Sequence, residues 1–208
     1  KEIGVCILDI GAGTTDMAIY EEGDLAHLAV FPLGSELITN DIAIGLKTDR
    51  ETAERIKREF GSCISNGGSK KEKITQINQQ GGGEPLVFTR KMLAKIIGAR
   101  VSEIFELANQ EIKRVFPKSV LPSGVVLTGG GAMLPKIVEL AKKEMKLPVR
   151  IGLPEGIIGL DGDPTLSTVA GLVLEGADLE NSGGMMPIFH NGFAAKIKKV
   201  FNFFNPNQ

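Results

Sequence analysis

The chain has 208 residues, 42% of them hydrophobic, and 24 Lys+Arg against 25 Asp+Glu leave a formal net charge of -1. That is apolar material enough for one large domain or two small lobes, and the balanced charge gives no reason to expect a nucleic-acid partner. No run approaches the ~20 apolar residues of a membrane span, and two cysteines make neither a disulfide framework nor a metal-ligand spacing, which fits a reducing cytosol.

Lys1 is not Met, no signal peptide follows it, and the chain enters an apolar run at once, so a fragment lacking its upstream portion is expected. Ile3, Val5, Ile7, Leu8 and Ile10 form one buried strand. Gly11, Gly13, Thr14 and Thr15 then make a tight turn before Met17, Ala18 and Ile19 resume the apolar character. Without Cβ atoms, Gly11 and Gly13 allow the turn backbone to adopt positive φ and let an anion reach several main-chain N–H groups. Asp9, at the end of the first strand, would repel such an anion unless a cation lay between them. Its natural role is therefore to hold Mg2+ through water. A plain hairpin is the alternative for this stretch taken alone.

Asp24 to Phe31 reads as a third, antiparallel strand, and Pro32-Leu33-Gly34-Ser35 ends it. Ser35 or Glu36 opens a helix over Leu37, Ile38, Ile42, Ile44 and Leu46. A second, highly charged helix is capped by Thr48 or Asp49 and closed by Gly61. By itself it reads as a solvated amphipathic helix. From Gly61 to Pro85 the chain is poor in hydrophobics, with only Ile74 to Asn78 as a short strand, and a loop or hairpin is expected. Leu86 to Phe88 is a short strand, and Thr89 caps a core helix reaching about Phe116, with Gly98 as its weak point.

Val125 to Thr128 is a buried strand running into Gly129-Gly130-Gly131, and a helix is expected from Pro135. Strand, glycine turn, helix start is a place where backbone N–H groups meet a phosphate or nucleoside, although tight packing accounts for such glycines equally well. The spacing matches neither the dinucleotide-binding nor the P-loop fingerprint. Val149 to Ile151 is another strand, followed by a Gly/Pro-rich loop and a helix over about Thr165 to Glu175.

The tail changes character. No acid follows Glu180, and on a helix Phe193, Ile197, Val200, Phe201 and Phe204 share one face. Lys198 and Lys199 point away from it, with Lys196 at the rim. A basic, Phe-rich amphipathic helix behind a linker is suited to the interface of an anionic bilayer, the alternative being a helix docked on its own domain or on a partner.

Three pieces stand in fixed order: Asp9-Ile-Gly-Ala-Gly-Thr-Thr-Asp16, then Glu54-x-x-Lys57, then Leu127-Thr-Gly-Gly-Gly-Ala-Met-Leu-Pro135. This order resembles the second half of the actin, sugar-kinase and DnaK-type chaperone superfamily. Within it, Pro32 to Leu46, Pro148 to Gly156 and the basic tail look like the FtsA family of bacterial cell-division proteins. The resemblance implies an α/β fold: an actin-like (ribonuclease H-like) ATPase lobe, a mixed sheet flanked by helices with a smaller inserted α+β subdomain. Residues 1–34 and 123–180 would form the core, 35–122 the insertion, 181–188 a linker and 189–208 the membrane-targeting helix. Both glycine turns should open onto one cleft.

The same resemblance implies ATP and Mg2+ as ligands. Gly11, Ala12, Gly13 and Thr14 would bind the β- and γ-phosphates, and Asp9 the magnesium water shell. Glu54 and Lys57 would reach ribose and adenine, with Gly129, Gly130, Gly131 and Met133 flanking the nucleoside. The first phosphate loop precedes this sequence, so the chain alone should bind ATP weakly and hydrolyse little or none. The implied role is a scaffold at the division site that polymerises into actin-like filaments on the cytoplasmic face of the inner membrane. It would tether FtsZ through that protein's C-terminal peptide, held in the inserted subdomain. A small-metabolite kinase and a pilus-assembly platform are the alternatives on the same fold, and the basic tail argues against both.

Overall fold

The computed structural model describes residues 4–65, 74–77, 85–116, 121–155, 157 and 162–181. It divides into two compact units, Lys1–Ala170 and Gly171–Gln208. The first contains the sheet and nearly all the described elements; of the second, only the continuation of the last helix is described.

Five strands make the main sheet: β1 (Val5–Ile10), β2 (Thr15–Glu21), β3 (Asp24–Phe31), β6 (Val125–Thr128) and β7 (Val149–Ile151), in the order β3-β2-β1-β6-β7. The first three form an antiparallel meander, whereas β6 pairs parallel to both β1 and β7, so the sheet is mixed. Hairpin-linked strands can run antiparallel, but β6 returns only after a long crossover and so joins in parallel. β4 (Ile74–Ile77) and β5 (Leu86–Thr89) form a separate antiparallel pair.

The crossover carries α1 (Ser35–Leu46), α2 (Arg50–Phe60) and α3 (Arg90–Val115). Asp49 caps α2 by accepting from the Thr52 N–H at 2.8 Å, and Thr89 caps α3 by accepting from Met92 at 3.1 Å. Leu93, Ile97, Ile104 and Phe105 of α3 are fully buried in one core with Leu8, Ile10, Ile38 and Ile42. Gly98 is no weak point of that helix: a Cβ there would lie 2.6 Å from the Cys63 carbonyl oxygen, so glycine lets the loop after α2 lie against α3. Both cysteines are buried, which pushes their thiols up to about 12 and leaves them without nucleophilic character near neutrality.

Two helix boundaries differ from expectation. α4 (Ile137–Met145) begins after Pro135 because Lys136 is left-handed, at φ 65°, and interrupts the chain there. The Pro135 carbonyl is used instead to accept the Cys63 N–H at 2.9 Å. The last helical stretch is a short 3-10 turn, Pro164–Leu166, followed by α5 (Ser167–Asn181), so Asn181 is helical rather than the start of a linker. The expected linker beyond it and the amphipathic tail from 189 lie outside the described residues.

Candidate functional site

The C-terminal ends of β1 and β6 are neighbours, with Asp9 opposite Thr128 in the parallel register, and each strand runs into a glycine turn. The β1–β2 turn closes when the Gly11 N–H donates to the Thr14 carbonyl at 2.9 Å. Neither Gly11 nor Gly13 uses the positive φ open to glycine. A Cβ on Gly11 would press on the Thr14 carbonyl at 3.1 Å, whereas one on Gly13 would meet nothing within 4 Å. The Ser35 and Glu36 N–H groups donate to the Gly11 and Ala12 carbonyls, both at 2.9 Å. The turn thereby caps the start of α1, satisfying two of its orphan donors. Gly34 makes this junction possible, because a Cβ there would collide with the Ala12 carbonyl.

After β6, Gly130–Met133 is itself a short 3-10 turn rather than a connector into α4. Its three glycines have different reasons. Gly129 is left-handed at φ 80°, and a side chain on it would strike the Asp9 carboxylate; on Gly131 it would strike Ile10. Tight packing therefore explains those two. Gly130 is exposed, its φ is ordinary, and the nearest atom to an added Cβ is Thr165 Cγ2 at 3.9 Å.

A cavity of about 1380 Å³ opens here, with Ala12 and Ser35 on one side, Gly130, Gly131 and Met133 on another, and Glu54 and Lys57 along α2. The structure thus brings residues from all three sequence pieces to one cleft. Gly11, Gly13, Thr14, Gly129 and Asp9 are not among its lining residues. Asp9 stands behind the turns, where its Oδ2 accepts from Thr168 Oγ1 at 2.7 Å. Among the described residues no group of three His, Cys, Asp or Glu side chains converges as a metal cage.

Several residues escaped the sequence reading, among them Ser35 and Arg58 of the cavity lining. Thr39 and Thr165 line the cavity, Thr168 holds Asp9, and Gly34 admits the first turn to α1. Gly34 stood in view within Pro-Leu-Gly-Ser as a strand breaker. The threonines had no signal, since Thr39 lies 15 residues from Glu54 and Thr168 159 residues from Asp9.

Glu54 is the electrostatic centre of the α2 wall. Its Oε2 accepts from Thr39 Oγ1 at 2.5 Å and from Lys57 Nζ at 2.7 Å, and its Oε1 from Arg58 Nε at 3.0 Å. Burial works to raise its carboxyl pKa, but the bonds from Lys57, Thr39 and Arg58 together outweigh burial and hold it below the ordinary carboxylate value. Lys57, only 8% exposed, also donates to the Ser35 carbonyl at 3.1 Å and to Thr39 Oγ1 at 2.8 Å. The cleft thus offers open turns, a fixed anionic carboxylate and a second carboxylate behind them.

Residues 6–171 match the family model described as "Cell division protein FtsA". Over 203 residues the chain is 35% identical to the FtsA cell-division protein of Pseudomonas aeruginosa, covering 96% of this chain and 48% of that one. With the FtsA of Neisseria meningitidis serogroup B it shares 40% over 198 residues, 92% of this chain and 46% of the relative. The chain therefore spans about half the length of these curated relatives. Among solved structures, MreB5 of Spiroplasma citri bound to ADP superposes with a TM-score of 0.66 at 20% identity, covering 87% of this chain and 56% of that one. The fold is that of an actin-like ATPase.

Proposed function

We propose, since the chain belongs to the FtsA cell-division protein family, that its cleft binds ATP with Mg2+ and that it serves as one lobe of an actin-like scaffold. The scaffold polymerises on the cytoplasmic face of the inner membrane at the division site and tethers FtsZ. Residues 35–122 act as an inserted subdomain holding the FtsZ C-terminal peptide, and residues 189–208 as the membrane helix.

At the nucleotide, the β1–β2 turn of Gly11, Ala12, Gly13 and Thr14 meets the β- and γ-phosphates, with the main-chain N–H groups of Ala12, Gly13 and Thr14 as donors, that of Gly11 being used to close the turn. Asp9 holds the cation through its water shell. The donor set fits, because Mg2+ keeps several waters and takes one or two carboxylates together with substrate phosphates, and Asp9 is one such carboxylate next to the turn. Such an ion would supply the positive charge that lets a carboxylate stand near phosphates. Gly130 and Met133 flank the nucleoside, and Glu54 takes ribose hydroxyls.

The observation that carries this reading is Gly130. Packing and backbone strain each account for neighbouring glycines, but at Gly130 the space in front of the turn is open and faces the cleft. A side chain there costs the fold little and obstructs whatever enters. In the full-length protein, Gly130→Val should leave the melting temperature within a few degrees while reducing ATP affinity by about tenfold or more, measured by calorimetry. Unchanged ATP affinity in a folded variant would remove the nucleoside from this turn.

A further inference from the structure

β3 is one edge of the five-stranded sheet and, at 8 residues, the longest of its strands. Among the described residues it pairs with β2 alone, so alternate main-chain N–H and C=O groups along its outer side have no strand opposite them. Such an edge is ordinarily blunted by lysine, by proline or by shortness. Between Asp24 and Phe31 there is no Lys, Arg or Pro, and His27, the titratable side chain among them, turns inward to Glu111.

The outer face of the same strand is apolar. Cross-strand partners share a face, and the register sets Val30 opposite Asp16, Leu28 opposite Ala18 and Leu25 opposite Tyr20. Leu25 and Leu28 stand three apart and would fall on opposite faces of a regular strand. The register shift after Ile19, which leaves Ala26 without a partner on β2, brings them into one row. Leu25, Leu28 and Val30 are 47%, 62% and 66% exposed, whereas Ala29 and Phe31, on the other face, pack against the core. Acids stand at both ends of this row: Asp16 beside Val30, and Glu21, Glu22 and Asp24 around the turn before Leu25. All four are exposed, and none forms an ion pair among the described residues. No Lys or Arg occurs from Thr15 to Phe31, and Arg114, on the helix behind, is already held by Glu111.

We infer that the β3 edge is a docking site for an extended, basic peptide segment of a partner protein, which joins the sheet as a further edge strand. Main-chain hydrogen bonds along β3 supply affinity, and the alternating side chains of the added strand supply selection. Its apolar side chains continue the row of Leu25, Leu28 and Val30, while Lys or Arg at its ends meet Asp16 and the acids of the β2–β3 turn. Charge decides between this occupant and a second copy of the chain, which would bring four more carboxylates to the same surface. None of these residues lines the nucleotide cavity, so the two readings stand or fall separately.

Fluorescence anisotropy on the full-length protein tests the docking site, with a labelled peptide of alternating valine and threonine carrying two lysines at each end. This peptide should bind, and its counterpart with glutamate for lysine should bind at least about tenfold more weakly. Two N-methylated versions block the amides of the valines or those of the threonines. One should lose about tenfold or more and the other less than about threefold, because only alternate amides of an added strand face its neighbour. Leu28→Lys, at an exposed position, should keep the melting temperature within a few degrees and weaken binding by about tenfold.

Glu22→Asn guards against a variant that merely unfolds. Glu22 and Gly23 hold φ 51° and 94°, the two left-handed positions of a type I′ turn, where asparagine is favoured over glutamate. That variant should fold at least as stably as the parent, yet bind the basic peptide about threefold more weakly at low salt. Equal binding of the basic and acidic peptides, no difference between the two methylated versions, or unchanged binding in both Leu28→Lys and Glu22→Asn would overturn the inference. So would failure of the unsubstituted protein to bind the peptide. The edge is then covered by a segment outside this chain or by a second copy, and sedimentation of Leu28→Lys separates these, since only a second copy would dissociate.

Discussion

Glycines show how a residue's meaning depends on what stands opposite it. Gly98 lies inside a 26-residue helix, where alanine is intrinsically better by about 1 kcal/mol. An added Cβ would nonetheless approach the Cys63 carbonyl to 2.6 Å, and that oxygen is backbone rather than a flexible side-chain end. Gly98→Ala should therefore destabilise the protein by about 1–3 kcal/mol, the range of overpacked cores, seen as a lower denaturant midpoint. A stabilised variant would show that the loop after α2 gives way freely. Sequence alone offered only the propensity argument, which has the opposite sign. The same distance from sequence separates Gly129 and Gly131, needed for packing, from Gly130, needed by nothing in the fold.

At the scale of elements, the joints are made by side chains far apart in the chain. β3 meets α3 where His27 Nε2 and Glu111 Oε1 lie 2.7 Å apart, and Arg114 holds the same carboxylate from the next turn of the helix. Arg114, and after it His27, draw the Glu111 carboxyl down to about 2 from its ordinary 4.5. A depressed carboxyl contributes stability that is fully present above the unfolded value and is lost as pH falls through 4.5 towards 2. Glu111→Gln should accordingly be less stable than the parent at pH 6, with the difference fading as unfolding is measured at pH 4, 3 and 2. A difference that persisted at pH 2 would place the contribution in packing rather than charge. The elements themselves were legible: the three opening strands, the capped helices and β6 all stand where hydrophobic periodicity and cap residues put them. The start of α4 was not, because Pro135 is acceptable in a first helical turn and nothing local announces that its carbonyl is taken by Cys63.

For the whole molecule, no helix among the described residues is long and apolar enough to cross a membrane, and the bilayer attachment proposed for the tail is tested there. Burying Phe193, Ile197, Val200, Phe201 and Phe204 is worth about 1.5–3 kcal/mol for each fully buried large side chain, less for partial insertion. Lys196, Lys198 and Lys199 add roughly 1 kcal/mol each near an anionic surface. The full-length protein should float with anionic liposomes, truncation after Pro187 should abolish this, and Phe201→Glu should nearly do so. Rising salt should weaken the binding without removing it, since only the charged part is screened. Equal flotation of truncated and intact protein would rule out the anchor.

Sequence by itself determined the order of elements, the two glycine turns and the membership of a family, because periodicity, caps and short motifs are local and survive being read in one dimension. Only the tertiary structure decided which glycine faces open space, that Thr39 and Lys57 lock one oxygen of Glu54, and that Thr168 holds Asp9. Those facts depend on which atoms converge from distant segments at hydrogen-bond range, a geometry that spacing along the chain does not encode.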